Sequence, residues 1–312
     1  MDFELDGDQR AILEAVESLL ERHAGAARAV ELQRKAAYDD ALDQALAASG
    51  FAGVALGEGT GPLEAALVVE AVARAGGVVA AGANVLVAPL VAGQALPGPV
   101  ALAMAGQGAP LRFGCHARTL LVLDGDLARM VEVAPEDRVP VRSNFGYPVG
   151  RLGAATARAG RSLGPGSGER LRAWWRVALA AELVGSMRAC LDVTVDYVRK
   201  RRQFGRAIGS FQGVQHRLAE CAVLVEGSRW LAYEAAFRRA PAEAAAAAAA
   251  HAAGAAERIF TDTHQFSGSM GFTREHDLHV WSMRLQALRL ELGGAAAQRR
   301  AVAQARWTGG GA

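Results

Sequence analysis

The 312 residues carry 34 basic and 32 acidic side chains, a net charge of +2, and 51% of them are hydrophobic. A chain this apolar excludes the disordered, collagenous and fibrous classes, and so small a net charge excludes a dedicated electrostatic device for nucleic acid or membrane surfaces. The length suits two or three modules around a substantial core.

The opening residues Met1-Asp-Phe-Glu-Leu-Asp6 have neither the basic nor the apolar region of a secretory signal. Cys115, Cys190 and Cys221 are scattered without paired spacing, so they read as buried thiols and the expected setting is cytoplasmic. Asp6 and Asp8 precede a periodic apolar run through Ile12, Leu13, Val16, Leu19 and Leu20, the pattern of a capped amphipathic helix. Further helices are expected over about 38–49 and 62–75, broken at Gly50, Gly57, Gly59 and Gly61. No charged residue lies between Ala75 and Leu111. Asn84, Gln94, Gln107, Pro89, Pro97 and Pro99 interrupt that stretch, so it predicts a buried helix and a turn, with no membrane span.

The character changes at Pro97-Gly98-Pro99. Short apolar pieces at Val100–Met104, Leu120–Leu123 and Met130–Val133, parted by turn signals, predict a small β module. Gly164-Pro165-Gly166-Ser167-Gly168 reads as a linker. Beyond Glu169 the helical period returns: Val177, Val184, Met187, Leu191, Val195 and Val198 share one face, and Phe211, Val214, Leu218, Ala222 and Val225 another. The alanine run Ala244–Ala250 favours helix and close helix contacts, from which an oligomer is expected. The expected fold class is mainly α, with a helical domain over 1–98, a β module over 99–165 and a helical bundle over 166–312.

Some residues suggest chemistry. Arg201 offers a planar five-donor fork suited to a pyrophosphate. Phe204 offers an apolar face, and Gly205 lets the chain turn without a Cβ. Gln265 can hydrogen-bond while Gly268, Ser269 and Gly271 bring backbone N–H groups close to an anion. Each has a plainer reading alone. Arg199-Lys-Arg-Arg202 fits a solvated helix end or, running on to Arg206, a nucleic-acid patch, which the net charge disfavours. Phe211 with Leu218 fits ordinary core. His276 and His279 stand at metal-pair spacing without a supporting Cys or carboxylate cluster, so no metal is expected.

Joined in order, these pieces resemble a known family. Tyr197-Val-Arg-Lys-Arg-Arg-Gln-Phe-Gly-Arg-Ala-Ile-Gly-Ser-Phe-Gln-Gly-Val-Gln-His216 resembles the R-x-Q-F-G and F-Q-x-x-Q-H signatures of the acyl-CoA dehydrogenases. Gln265-Phe-Ser-Gly-Ser-Met-Gly-Phe-Thr-Arg-Glu275 is similar to that family's Q-x-x-G-G-x-G-[FY]-T-x-E turn, with Ser269 in place of a usual glycine. Phe3, Leu5, Gln9 and the Ser49–Gly53 turn add weaker agreement. The resemblance implies an acyl-CoA dehydrogenase-like fold whose C-terminal part is a four-helix bundle. It also implies FAD as cofactor, its ADP half held across a subunit interface by Arg201, Phe204, Gln212, Gln265, Gly268 and Ser269.

Two departures refine that expectation. The family base is a glutamate reached by counting from the glutamine of the second block, which here lands on Leu292, one residue past Glu291; the alternative base position falls on Trp175. The middle module lacks the T-E-x-x-A-G-S-D and W-I-T-N segments that hold the flavin ring, and is shortened. The catalytic residue is therefore unassigned. The pattern resembles the short subunits of heteromeric, steroid-catabolic acyl-CoA dehydrogenases of actinobacteria. It implies an acyl-CoA substrate, a full-length acyl-CoA dehydrogenase partner and electron-transfer flavoprotein or a similar acceptor. Two alternatives stay open: a self-sufficient homomeric enzyme using Glu291, and a non-catalytic scaffold of the same fold.

Overall fold

The computed structural model describes residues 4–153 and 160–308; Phe3, of the N-terminal agreement, lies outside them. The first helix, α1 (Gly7–His23), starts where the sequence places it. The Asp6 side chain accepts from the Gln9 backbone N–H, and the Gln9 side chain accepts from that of Asp6, a reciprocal capping box. α2 (Ala26–Lys35), α3 (Asp40–Ala48) and α4 (Pro62–Arg74) follow. The uncharged stretch folds as a buried π-helical turn, Gly82–Val87, running into α5 (Ala88–Ala92). No helix among the described residues is long and apolar enough to cross a membrane.

The β module forms two sheets. In the first, β1 (Val100–Met104) pairs in parallel with β3 (Thr119–Asp124), which pairs antiparallel with β4 (Leu127–Glu132) and through it with β7 (Arg161–Ser162). In the second, β6 (Val149–Leu152) lies between β2 (Leu111–Arg112) and β5 (Arg138–Val141). β3 is covered on both faces and reads Thr-Leu-Leu-Val-Leu-Asp, an unbroken apolar run rather than an alternation.

The expected linker is not loose. Ser167 and Gly168 already belong to α6 (Ser167–Lys200). The Ser167 hydroxyl accepts from the Ala128 N–H at 2.8 Å, and a Cβ on Gly168 would lie 2.5 Å from the Asp126 carbonyl carbon, so this corner packs against the β3–β4 turn. The bundle continues with a small hairpin, β8 (Arg202–Gln203) and β9 (Arg206–Ala207), then α7 (Gln212–Phe237), α8 (Ala242–Ser267), α9 (Leu278–Leu288) and α10 (Gly294–Thr308). α8 packs on α6, α7 and α10, while α9 packs on α6 and α8. Most alanines of α8, Ala245, Ala246 and Ala248–Ala250 among them, are buried inside this chain, so their close contacts are made within the bundle.

The N-terminal helices lock to the bundle where α4 crosses α6. A Cβ at Gly185 would sit 2.2 Å from the Glu70 carbonyl oxygen, so glycine alone permits the contact. Beside it, buried Glu70 accepts from Arg229 at 2.9 Å and from the Tyr233 hydroxyl at 2.8 Å, which satisfies both carboxylate oxygens.

Candidate functional site

A cavity of about 510 Å³ lies where segment 80–83, the β module, α6 and the turn after α9 meet. Trp175 and Glu182 are seven residues apart on α6, two helical turns, so both face it. Arg112 reaches in from β2. Its Nε donates to Glu291 Oε1 at 2.5 Å, its Nη2 to Glu182 Oε2 at 2.9 Å and its Nη1 to Glu182 Oε1 at 3.3 Å. Trp175 Nε1 donates to Glu291 Oε2 at 2.9 Å. Glu182 fits because residue 82 is glycine: a Cβ there would lie 2.9 Å from Glu182 Oε1.

The two family base positions thus converge, Trp175 holding Glu291 by a hydrogen bond. The one-residue offset does not take Glu291 out of the cavity, since the chain turns back sharply behind it. Leu292, Gly293 and Gly294 are all left-handed, with φ of 50°, 84° and 70°. The turn is pinned by Gln298 Nε2, which donates to the Leu292 carbonyl at 2.7 Å, and by Arg176 Nε, which donates to Gln298 Oε1 at 2.7 Å. Burial opposes the charged form of Arg112, but Glu182 and Glu291 outweigh it and raise its pKa well above the ordinary value. The Arg112 guanidinium lies 5.0 Å from the centre of the Tyr147 ring, and that of Arg284 lies 4.9 Å from it. Burial pushes the Tyr147 phenol up to about 12. Both Glu291 oxygens accept hydrogen bonds, Oε1 from Arg112 and Oε2 from Trp175 and Arg112.

The motif residues occupy a different place. Arg201 caps the end of α6, and the hairpin that follows turns on Phe204 and Gly205, with φ of 53° and 78°. Two successive left-handed residues suit a tight hairpin turn; for phenylalanine the conformation costs about 1–2 kcal/mol. The Phe204 ring is nevertheless 89% exposed. Gln212 begins α7 and Gln265 lies near the end of α8. Arg217 pairs with Asp262 across the two antiparallel helices, which puts Gln212 and Gln265 at the same end of the bundle. Gly268 (φ 57°, ψ −143°) breaks α8, and Gly271 must lack a Cβ, which would stand 2.9 Å from that of Ser267.

All six of Arg201, Phe204, Gln212, Gln265, Gly268 and Ser269 are exposed, and the side chains of Arg201, Gln212, Gln265 and Ser269 make no hydrogen bond or ion pair with the described residues. Arg201 shares a shallow recess with His276, while Gln265, Gly268 and Ser269 lie outside it. An unpaired guanidinium, unpaired amides and a bare glycine turn on one surface fit the ADP half of FAD. They fit as a half-site, open on the outer side. Beneath the turn, His264 is buried between Phe260 at 4.3 Å and Phe272 at 5.0 Å, with neither ring nitrogen hydrogen-bonded. Burial, then His276, pushes its pKa down. His279 Nδ1 meets the His276 carbonyl at 2.9 Å, and no group of His, Cys, Asp and Glu among the described residues is arranged to hold a metal.

Sequence reasoning missed Arg112, Glu182 and Tyr147. Only Glu182, a lone acid in the apolar run Val177–Met187, left a visible signal.

Residues 6–95 match the acyl-CoA dehydrogenase N-terminal domain family, and residues 171–306 match the acyl-CoA dehydrogenase C-terminal domain family. The chain is 31% identical over 298 residues to acyl-CoA dehydrogenase IpdE2 of Mycobacterium tuberculosis, covering 89% of this chain and 90% of that protein. Its fold is similar to a chain of the ChsE4-ChsE5 complex from Mycobacterium tuberculosis, with TM-score 0.80, 23% identity, and 97% of this chain and 98% of that one covered. It is also similar to the Tcur3481-Tcur3483 steroid ACAD, with TM-score 0.78, 22% identity, and 98% and 99% covered.

Proposed function

Because the chain belongs to the acyl-CoA dehydrogenase family, we propose that it works as one subunit of a heteromeric enzyme, lending an ADP half-site for FAD to a full-length partner. Family members are FAD-dependent oxidoreductases acting on CH–CH bonds. One contrast supports the reading. The motif residues are exposed and unpaired, while Glu291, nearest the family base, is held by Arg112 and Trp175.

Bound FAD supplies the hydride acceptor for α,β-dehydrogenation of an acyl-CoA. This chain's part is binding and orientation. Arg201 grips the pyrophosphate, Phe204 covers an apolar face, Gln212 and Gln265 hydrogen-bond, and the backbone at Gly268 and Ser269 approaches the anion. The partner provides the base. Steroid side-chain or ring-derived CoA esters are the acyl groups of this proposal, supported by the likeness to a steroid ACAD. Electron-transfer flavoprotein or a similar protein then takes the electrons, in the cytoplasm.

The test compares Arg201→Ala with Arg202→Ala in the purified complex. A charge-assisted contact is worth about 1.5–3 kcal/mol, so Arg201→Ala should weaken FAD roughly ten- to a hundred-fold without disassembly. Arg202 is the control. The sequence places it a helical step away from Arg201, but the structure ends α6 at Lys200 and puts Arg202 in β8, where neighbouring side chains point to opposite faces. Equal flavin occupancy in the two variants rejects the reading.

A second reading has one observation in its favour, the presence of Glu291 in the cavity: the chain would then act alone with Glu291 as base. Glu291→Gln separates the two. Under the subunit reading the assembled enzyme keeps most of its activity, whereas a lost general base removes about 10²–10⁴-fold of rate.

A further inference from the structure

Under the turn that follows α8, several polar atoms are buried without partners. His264 and Ser267 are buried, and both ring nitrogens of His264, the Ser267 hydroxyl and His276 Nε2 have no hydrogen-bond partner among the described residues. A neutral imidazole carries one donor and one acceptor, so a buried ring with both unanswered is uncommon in a folded chain. The turn above, Gly268 to His276, is shaped by bonds of its own. The Thr273 N–H and hydroxyl donate to the Met270 carbonyl at 3.0 and 2.9 Å, and the Glu275 N–H donates to the Thr273 hydroxyl at 3.3 Å. Its far end meets α9 through His279 and the His276 carbonyl. Over His264 it is seated by ring contacts: Phe272 lies 5.0 Å from His264, and His276 lies 5.1 Å from Tyr197 of α6. Gly268 and Ser269 of the half-site ride on this turn, and Gln265 adjoins it.

We infer that this turn is an acid-opened latch on the half-site, shut while His264 is neutral and released when its imidazole takes a proton. The inference rests on the flavin reading only for what the latch guards. An imidazolium has two N–H donors and a charge. The seat offers it no acceptor, only the rings of Phe260 and Phe272. Ring faces attract a cation less than the water it gives up, and swinging the turn aside returns that water. The surrounding charges do not rescue the cation. Asp262 of α8 is taken by Arg217 of α7 and by Arg258, which also holds Glu220. On α6, Asp192 is paired with Arg74 and Arg188, and Asp196 with Lys200, while Arg201 adds an unpaired cation to the recess of His276. His216 of α7 is exposed, Arg289 after α9 is paired with Glu257, and α10 brings Arg299 and Arg306 only beside Gly254 and Glu243, farther down α8. The turn itself carries Arg274, Glu275 and Asp277 in exposed positions. Asp277 favours a proton on His276, against burial and His279, and His276 in turn disfavours one on His264. Burial is the larger cause, and it pushes both imidazoles below their ordinary value. As pH falls, the open turn therefore takes up its proton first, and opening levels off once the shut form also titrates.

The test follows amide hydrogen exchange of the full-length chain, corrected for the intrinsic pH dependence of exchange. Between about pH 7.5 and about pH 5.5, a histidine of ordinary value about 6.5 in the open turn raises the open population about five- to tenfold. Peptides within 264–279 should exchange faster by that factor, and peptides of α6 within 177–187 should not. His264→Leu should abolish the change. His276→Gln should leave a smaller rise with its midpoint at higher pH, because the opposing imidazole is gone. Equal acceleration in both regions, no acceleration in the turn, or an unchanged response in His264→Leu would each overturn the inference. If circular dichroism shows His264→Leu misfolded, His276→Gln decides alone, and a midpoint that stays or falls overturns the latch. In the assembled complex, release of FAD, read as the rise in fluorescence of the freed flavin, should quicken by the same factor at the lower pH. Release that ignores pH rejects the latch as a guard of the half-site. The flavin reading fails separately, on equal flavin occupancy in the Arg201→Ala and Arg202→Ala complexes. Both variants should keep the acid-induced exchange as isolated chains, and its loss in Arg201→Ala would place the control of the turn at Arg201 and reject His264.

Discussion

The polar end of the cavity and the edge formed by the β8–β9 hairpin and the turn after α8 are built on opposite terms. In the cavity, a guanidinium, two carboxylates and an indole are hydrogen-bonded to one another. At the edge, a guanidinium, two amides and a hydroxyl saturate nothing, and a phenylalanine in a left-handed conformation projects into solvent. Buried polar groups must find partners within the fold, whereas exposed ones are free to wait for a partner from outside. The edge therefore has the character of an open recognition surface, and the ion-pair cluster that of a closed structural element.

The comparison breaks most visibly at Arg112. Replacing it by methionine strands two carboxylates in a largely buried site, and removing one partner of such a cluster costs about 3–5 kcal/mol. Calorimetry should show a large fall in Tm, and adding Glu182→Gln and Glu291→Gln should recover much of it. A fall of less than about 1 kcal/mol would mean that the cluster behaves like a surface pair.

His264 gives an intermediate effect below the edge. Its folded pKa is depressed, first by burial and then by His276, whereas His276 itself is depressed by burial against the opposing pull of Asp277. On acidification the unfolded chain takes up protons near histidine's ordinary value, about 6.5, before the folded chain does. Stability should thus be lost as pH falls through that value and level off once the folded imidazole also titrates. Tm measured against pH should show this slope in the native chain and a smaller one in His264→Leu; equal slopes would place the titration elsewhere.

The smallest effect is expected at Phe204. Asparagine tolerates the left-handed region, so Phe204→Asn should relieve about 1 kcal/mol of strain and raise the Tm of the isolated chain slightly. The same change should weaken association with the partner, read by light scattering. A variant that is both less stable and fully associated would show that the ring is held for the fold.

What was legible in the sequence follows from the range of each signal. The helix cap at Asp6 is a local pattern, and so is the strand Val100–Met104; both form where expected. The residues of the proposed flavin edge stand out in the sequence because each block is contiguous, and the structure brings both blocks to one end of the bundle. Arg112 carried no signal. It sits in a two-residue strand, and its partners Glu182 and Glu291 stand 70 and 179 positions away, beyond any periodicity. Tyr147 was hidden for the same reason, because its environment is assembled from distant segments. The glycine-rich corner at 164–168 misled by composition: Gly168 is required by contact with the β3–β4 turn.

The alanines of α8 have one further consequence. An alanine loses no rotamer freedom on burial, so ordering this helix demands little beyond its backbone entropy. The small side chains also let α6, α7 and α10 come close on several sides. Tolerance along α8 should then be one-sided, since any added methylene meets a neighbour already at contact distance. The helix acts as a spacer gauge: its narrow bore sets how far apart α6, α7 and α10 stand.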